Sequence, residues 1–422
     1  MKKIALSGAL ALALTACGGG SNDTNSPQGP QTQSSGQSGT GSSSGQQSTT
    51  GDNGTGTSTS QQAAVTIGGV LDATGVDGYF SIALSLNGAQ ALGVGGSSGS
   101  AVSGPFSLGT TLHDGDTYDV EISTQPIGFT KCAISNGSGT ATANVTDISI
   151  VCGDATPQVS TLNAQFNTPT SVAVDSQGNV FVADPGANRV QKVASDGTVT
   201  TVYTGPDPDS VVVDSSDSLF VHDATTGMIY SFDSQGTQTT FVGPQTVLQN
   251  TGTLAPWPYG GVYFANYNDG TIVKYDPQGV ATTIVTAGKL DHPVGLAYLY
   301  GKTLVAEAGA KNDIAAVFAD GTVGLFSSNL SPSLVAPSGL TVGPEQKLFV
   351  VDGGANDLNW YSTGRPNAGG LLAGGVSGFA DGNGAAARFL GPRCVVADRQ
   401  GNLYVADSGN HVVRKITPVA PE

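Results

Sequence analysis

One motif recurs six times in this chain, and that recurrence constrains the fold more than any other feature. Phe181-Val182-Ala183-Asp184 returns as Phe220-Val221-His222-Asp223, Tyr263-Phe264-Ala265-Asn266, Leu304-Val305-Ala306-Glu307, Phe349-Val350-Val351-Asp352 and Tyr404-Val405-Ala406-Asp407. The copies lie 39 to 55 residues apart. Fifteen residues before the polar end stand Pro169, Pro208, Pro337 and Pro392. Pro293 stands fourteen before its Glu307, and the third unit has Thr251 in that place. Each unit reads as a Pro-loop, a strand, a turn, a strand ending in the polar residue, a loop, a strand, an Asp-Gly turn and a final strand. Four short strands repeated at this period are the mark of propeller blades. The last unit stops before its fourth strand. Val159-Ser160-Thr161-Leu162, ahead of the first unit, predicts the strand that completes it and closes the ring, leaving no open sheet edge.

The C-terminal unit is the most regular. Gly378-Phe379-Ala380-Asp381-Gly382, Ala385-Ala386-Ala387-Arg388-Phe389, Gly401-Asn402-Leu403-Tyr404-Val405-Ala406-Asp407, Asn410-His411 and Arg414-Lys415-Ile416 closely resemble the NHL-repeat family. The resemblance implies an all-β fold, with a six-bladed NHL-type β-propeller over residues 158–418. It does not fix a function, because propellers host many.

The N-terminus reads as an address. Met1-Lys2-Lys3 is a positive segment, Ile4 to Leu14 is apolar but too short to span a bilayer, and Leu14-Thr15-Ala16-Cys17 resembles the bacterial lipobox. This predicts a signal peptide over 1–16 and lipidation of Cys17, with Gly18 in the next position implying outer-membrane sorting. Two or more acyl chains anchor stably where one is marginal. Residues 18–62 contain only Gly, Ser, Thr, Gln, Asn, Asp and Pro, so they build no core and predict a disordered tether.

Between tether and propeller, residues 63–153 alternate in the manner of short strands, punctuated by Asn87-Gly88 and Asp114-Gly115-Asp116. A small β-sandwich is expected. Cys132 and Cys152 both fall here, and in an exported protein the pair is expected to form a disulfide. Ile67-Gly68-Gly69, Leu86-Asn87-Gly88, Thr124-Gln125-Pro126 and the stretch from Cys132 to Cys152 resemble the Ig-like domain that precedes propellers in bacterial surface lipoproteins. That resemblance implies a spacer or adhesion role.

Candidate site residues come from the repeat. The loop before a blade's first strand and the loop after its second lie on one face. The polar ends Asp184, Asp223, Asn266, Glu307, Asp352 and Asp407 therefore suggest a carboxylate-rich mouth able to hold Ca²⁺ or a cationic ligand. The plainer reading is that a repeated Asp caps its own following loop. Departures from the repeat stand out more: Asn266, Glu307, His222 where other units have Ala or Val, His292 in a Pro-loop, and Cys394 where a small residue is wanted. The candidate ligand-binding face is thus His222, Asp223, Asn266, His292, Glu307 and Cys394, with Asp223, Asn266 and Glu307 as metal candidates.

The net charge of −16 argues against nucleic acid, whose phosphates need a basic footprint. No nucleophile elbow, phosphate loop or nucleotide fingerprint is evident. Peptidyl-amidating lyases are NHL propellers that hold zinc with His from several blades, but here only His222, His292 and His411 lie in the propeller. The leading expectation is a lipid-anchored cell-envelope protein that binds a protein or glycan partner through the propeller face. The alternative is a metal-dependent, lactonase-like hydrolase or lyase at the channel mouth. The sequence demands no cofactor, and a divalent ion such as Ca²⁺ is the one it could accommodate.

Overall fold

Two patterns in the sequence become two kinds of sheet. Where apolar and polar residues alternate, strands have one dry face; where apolar runs are unbroken, strands are buried on both faces. The computed structural model describes residues 63–419 apart from 75, 77–79, 97–102, 110–111, 250, 328 and 365–366, together with 15–16 and 18–19. Cys17, the expected lipidation site, lies outside the described residues, as do 1–14 and most of the expected tether. Among the described residues the only helical turns are four short 3-10 turns, and no helix is long and apolar enough to cross a membrane.

The alternating segments build a sandwich. One sheet orders Thr130–Ser135, Val145–Asp154, Ile67–Asp72 and Gly104–Ser107; the other orders Ser138–Thr140, Thr117–Thr124, Phe80–Leu86 and Ala89–Gly96. Ile67, Ile82, Leu84, Val120, Ile148 and Ile150 fill the space between them. Ile67–Asp72 runs parallel to Val145–Asp154. The two backbones approach so closely that a Cβ on Gly69 would meet the Ile148 carbonyl oxygen, so glycine is needed there. Cys132 and Cys152 are directly opposed on neighbouring strands and are disulfide-bonded, as expected.

The unbroken runs build six antiparallel sheets in sequence order, each on four strands, with short strands added to the first and the last. Their first strands are Ser171–Val174, Pro208–Val213, Gly252–Pro256, Pro293–Leu299, Pro337–Val342 and Pro392–Ala397. Each packs beside the first strand of the next sheet, and the last returns to the first, which makes a ring around an axis. Thr156–Thr161 pairs antiparallel with Val412–Val419, with Val159 opposite Ile416, and so completes the last sheet from the front of the ring. Thr15–Ala16 pairs with Gly18–Gly19 and, through Ala16 opposite Ala173, with the innermost strand of the first sheet.

Neighbouring first strands are stitched by small side chains at one repeated position. Ser171 Oγ accepts the Val211 N–H, Ser210 Oγ accepts the Leu254 N–H, and Thr253 Oγ1 donates to the Val294 carbonyl. In the fourth and fifth sheets the position is Gly295 and Gly339, where a Cβ would strike the next backbone. Cys394 holds this position in the sixth sheet, wholly buried, with its Sγ 3.3 Å from the Val172 nitrogen.

The residues that carry the NHL resemblance form a clamp on the closing sheet. Arg414 is wholly buried. Its guanidinium donates to Asp407 at 3.0 Å, to Asp381 at 2.6 Å, and to the carbonyls of Arg388 and Ala380, while lying over the Phe379 and Phe389 rings. The segment it grips places Gly382–Asn383 beside Thr156–Thr161, and Thr161 Oγ1 donates to Asp381. One planar cation thus ties the last blade to the strand that closes the ring.

The sandwich docks on the turns that join first to second strands. Phe129 donates its N–H to Glu345 Oε1 at 3.0 Å, Lys347 Nζ reaches Asp154 at 2.9 Å, and the Phe129 ring packs on Phe349. Gly128 and Gly401 touch so closely that a Cβ on Gly401 would meet the Gly128 backbone. These turns lie at the opposite end of the strands from the Pro-loops, so the sandwich docks on the fifth and sixth sheets at the face opposite those loops.

Candidate functional site

Proline sets the geometry of the open face. It cannot donate a ladder hydrogen bond, so at the start of a first strand it is accommodated by a bulge. The register slips between Pro208 and Ser210, Pro293 and Gly295, Pro337 and Gly339, and Pro392 and Cys394. A bulge re-aims the extra residue, here the one after proline. The third sheet has Thr251 in place of proline and keeps a regular ladder, with Gly252 opposite Asn266.

Four bulged residues, Asp209, Val294, Ser338 and Arg393, form a ring with Thr170 and Gly252, which hold the equivalent positions in the first and third sheets. They line a cavity of about 660 Å³ on the axis, with Tyr267 and Asn268 adding an aromatic and an amide to its wall. That volume lies within the usual range for small-ligand sites. The ring is uneven. Gly252 and Val294 are apolar, whereas Ser338, Arg393, Thr170 and Asp209 form a continuous polar arc.

Asp209 is anchored from behind. Its Oδ1 lies 2.5 Å from His222 Nδ1, and its Oδ2 accepts the Gly252 N–H at 3.1 Å. His222 Nε2 faces the Leu248 carbonyl at 2.9 Å. Both ring nitrogens therefore meet acceptors, which requires both to carry hydrogen. Burial opposes the charge on His222, yet the Asp209 carboxylate and the Leu248 bond together raise its pKa above the ordinary histidine value. The pair is a buried imidazolium and carboxylate with one carboxylate edge in the cavity wall.

The repeated polar ends do not form the mouth. All six are buried and spent on loops. Asp184 accepts the N–H groups of Asn167 and Thr168, Asp352 those of Val335, Ala336, Gly354 and Ala355, and Asp407 that of Leu390. Asp223 accepts from Tyr203 Oη and the Thr226 N–H, and Asn266 joins the Asn268 N–H to the Val247 carbonyl. Glu307 accepts the Asp291 N–H and Lys311 Nζ. Asp184 holds the loop that enters its blade, and the other five tie the entering loop to the leaving one, which goes further than the self-capping expected from sequence.

The expected ligand-face residues are placed as follows. His222, Asp223, Asn266, Glu307 and Cys394 do not line the cavity; His222 acts through Asp209, and Cys394 lies between blades. His292 sits at the rim in a left-handed conformation, its Nδ1 2.7 Å from Asp291 Oδ1 and its ring against the cavity-lining Tyr267. Asp223, Asn266 and Glu307 do not fit a divalent ion, because their oxygens are committed to loop hydrogen bonds in three separate blades. Among the described residues no three His, Cys, Asp or Glu side chains are grouped to hold a metal. Beside Glu307, Asp313 is pushed up to about 6, first by burial and then by its hydrogen bond to that carboxylate and its charge.

Sequence reasoning missed the ring itself. Its signal was present in the position after proline, which varies freely among Thr170, Asp209, Val294, Ser338 and Arg393 while its neighbours repeat. A position released from the repeat's structural demands is where a blade can differ.

The NHL repeat family profile matches residues 166–193 and 389–416. Among solved structures, a protein of unknown function from Bacteroides thetaiotaomicron aligns at 14% identity with a TM-score of 0.57, covering 85% of this chain and 98% of its own. An auxiliary nutrient binding protein from Bacteroides ovatus aligns at 14% identity and a TM-score of 0.52, with the same coverage of 85% and 98%. A gluconolactonase from Xanthomonas campestris aligns at 18% identity and a TM-score of 0.50, covering 63% of this chain and 90% of its own. At these identities the likeness is one of fold, a β-propeller, and the NHL repeats are those of residues 166–193 and 389–416. No curated protein matches the sequence.

Proposed function

We propose that this chain is a cell-envelope binding protein, held by a lipid on Cys17 and the tether 18–62, that takes a small polar ligand or the end of a glycan or protein partner into the axial mouth. One observation carries this reading: the ring Thr170, Asp209, Gly252, Val294, Ser338 and Arg393, different in every blade, around a cavity of about 660 Å³. In support, the sandwich, read here as an Ig-like spacer, docks on the face opposite the Pro-loops. The fold likeness to an auxiliary nutrient binding protein over 85% of the chain agrees with a binding role.

The fold likeness to a gluconolactonase keeps the hydrolase reading in view. The carboxylates that such chemistry would recruit for a metal are committed to loops, which favours binding over turnover. The test is a thermal-shift screen of the whole protein against divalent ions, glycans and peptides. A mouth ligand at a hundred times its dissociation constant adds about 2.7 kcal/mol of stability. Lactone hydrolysis that needs a metal and is lost in Glu307→Ala, with no stabilising ligand found, overturns the binding reading.

A further inference from the structure

The charges of the mouth do not balance. Asp209 has both oxygens engaged, one by His222 and one by the Gly252 N–H. With His222 carrying two ring hydrogens, this pair is neutral as a unit. At the rim, Glu307 is matched by Lys311, while Asp291 Oδ1 lies 2.7 Å from His292 Nδ1 and its Oδ2 accepts the Ala310 N–H. Arg393, exposed on the polar arc, makes no ion pair or hydrogen bond among the described residues. It is the ring's one unmatched charge, and it is positive in a chain of net charge −16. A protein this acidic repels anions over most of its surface, so a lone cation in the axial cavity is selective where it stands.

The groups beside Arg393 suit an oxygen-rich anion. Ser338 precedes it in the ring and Thr170 follows it. Their hydroxyl hydrogens are turned to the carbonyls of Pro392 and Asp209, at 2.6 and 2.8 Å, so in these cavity-lining residues the hydroxyl oxygens serve a ligand as acceptors. Those lone pairs accept hydroxyl hydrogens from a ligand while the guanidinium donates in parallel to two oxygens.

Resting on the mouth as the binding site, we propose that its ligand carries a carboxylate, which Arg393 holds, next to hydroxyl or amide donors that Ser338 and Thr170 accept. A single unmatched cation suits a group of one negative charge. A phosphate monoester, at about −1.5 to −2, would leave charge uncompensated in an acidic surrounding. A uronic acid sugar and the C-terminus of a short peptide share the required chemistry, and the experiment separates them.

The whole protein is titrated calorimetrically with D-galacturonate, D-galactose, acetyl-dialanine, its C-terminal amide, and inorganic phosphate. At least one carboxylate probe is expected to bind ten times or more tighter than its neutral counterpart and than phosphate; which one binds identifies the source. Arg393→Ala removes that preference, and Arg393→Lys retains part of it. Val294→Trp, which fills the mouth from the apolar side of the ring, weakens every probe. Equal binding of acid and neutral probes, no binding of either acid at millimolar concentration, or a preference that survives Arg393→Ala overturns the proposal. Tight acid binding unchanged by Val294→Trp overturns the mouth reading beneath it.

Discussion

Asp209 and His222 meet at 2.5 Å across the bulge of the second blade, and each departs from what the other blades carry at its position. Where His222 stands the others have Ala or Val; where Asp209 stands they have Thr, Gly, Val, Ser and Arg. Two departures that contact each other form one device: a carboxylate in the wall of the mouth and a buried cation that holds it there.

His222→Ala restores the repeat but strands Asp209 in a buried setting, and should cost about 3–5 kcal/mol. Asp209→Ser combined with His222→Ala removes both charges and should cost much less than the single variant, a non-additivity that chemical denaturation resolves. The pH dependence follows from the raised pKa of His222. Its stabilisation is present in full below the unfolded value of about 6.5 and is lost as pH rises through the folded value. The gap between wild type and the double variant should therefore narrow at alkaline pH.

Arg414 unites four acceptors around the closing strand. Arg414→Met leaves Asp407 buried without its cation and frees Gly378–Phe389 from the last blade. A loss of about 3–5 kcal/mol is expected, measured as a lowered denaturation midpoint. Arg414→Lys keeps the charge but cannot span both carboxylates and both carbonyls, so it should fall between.

Glu345 is buried at the junction of sandwich and ring, where burial raises its pKa above the ordinary glutamate value despite the Phe129 N–H and the nearby Lys347 and Lys131. Its Oε1 accepts from Phe129 while Oε2 has no partner among the described residues. An acid with a raised folded pKa loses its contribution as pH climbs from the unfolded value toward the folded one. Glu345→Gln keeps the acceptor and removes the charge. It should match or exceed wild-type stability at pH 7 and lose that advantage below about pH 4, where the wild-type carboxyl is protonated in both states.

The Cys132–Cys152 bond closes a segment with a sequence separation of 20 and joins adjacent strands of the sandwich alone. Replacing both with Ala should cost about 3 kcal/mol in the chain-entropy account. The effect should appear in the unfolding of the sandwich, followed by hydrogen exchange of residues 63–154, with the six sheets largely unchanged.

The fold was legible because its evidence is repeated. Six copies of one polar-ended strand, with prolines at a fixed offset, specify a ring, and the orphan strand near Val159 specifies how it closes. The site was less legible for the same reason. Repetition draws attention to Asp184, Asp223, Asp352 and Asp407, whose chemistry serves the loops around them. Four of the residues that face the mouth, Asp209, Val294, Ser338 and Arg393, sit at bulges, and a bulge depends on the pairing register, which no single strand encodes. Asn266 and Glu307 looked like departures with a purpose; they make the same kind of loop bonds as the aspartates they replace. His222 looked like a departure too, and it does bear on the mouth, through Asp209, whose variation among ordinary surface residue types gave little sign.

The central claim is that ligand enters the axial mouth formed by the residues after the prolines. Hydrogen–deuterium exchange of the whole protein, with and without a saturating ligand taken from the thermal-shift screen, tests it most directly. The account predicts protection confined to segments around 167–171, 207–210, 251–253, 266–268, 292–294, 336–339 and 390–394. Protection in the sandwich, or in the turns near 257–260 and 299–301 on the opposite face, with the mouth segments unchanged, would contradict it.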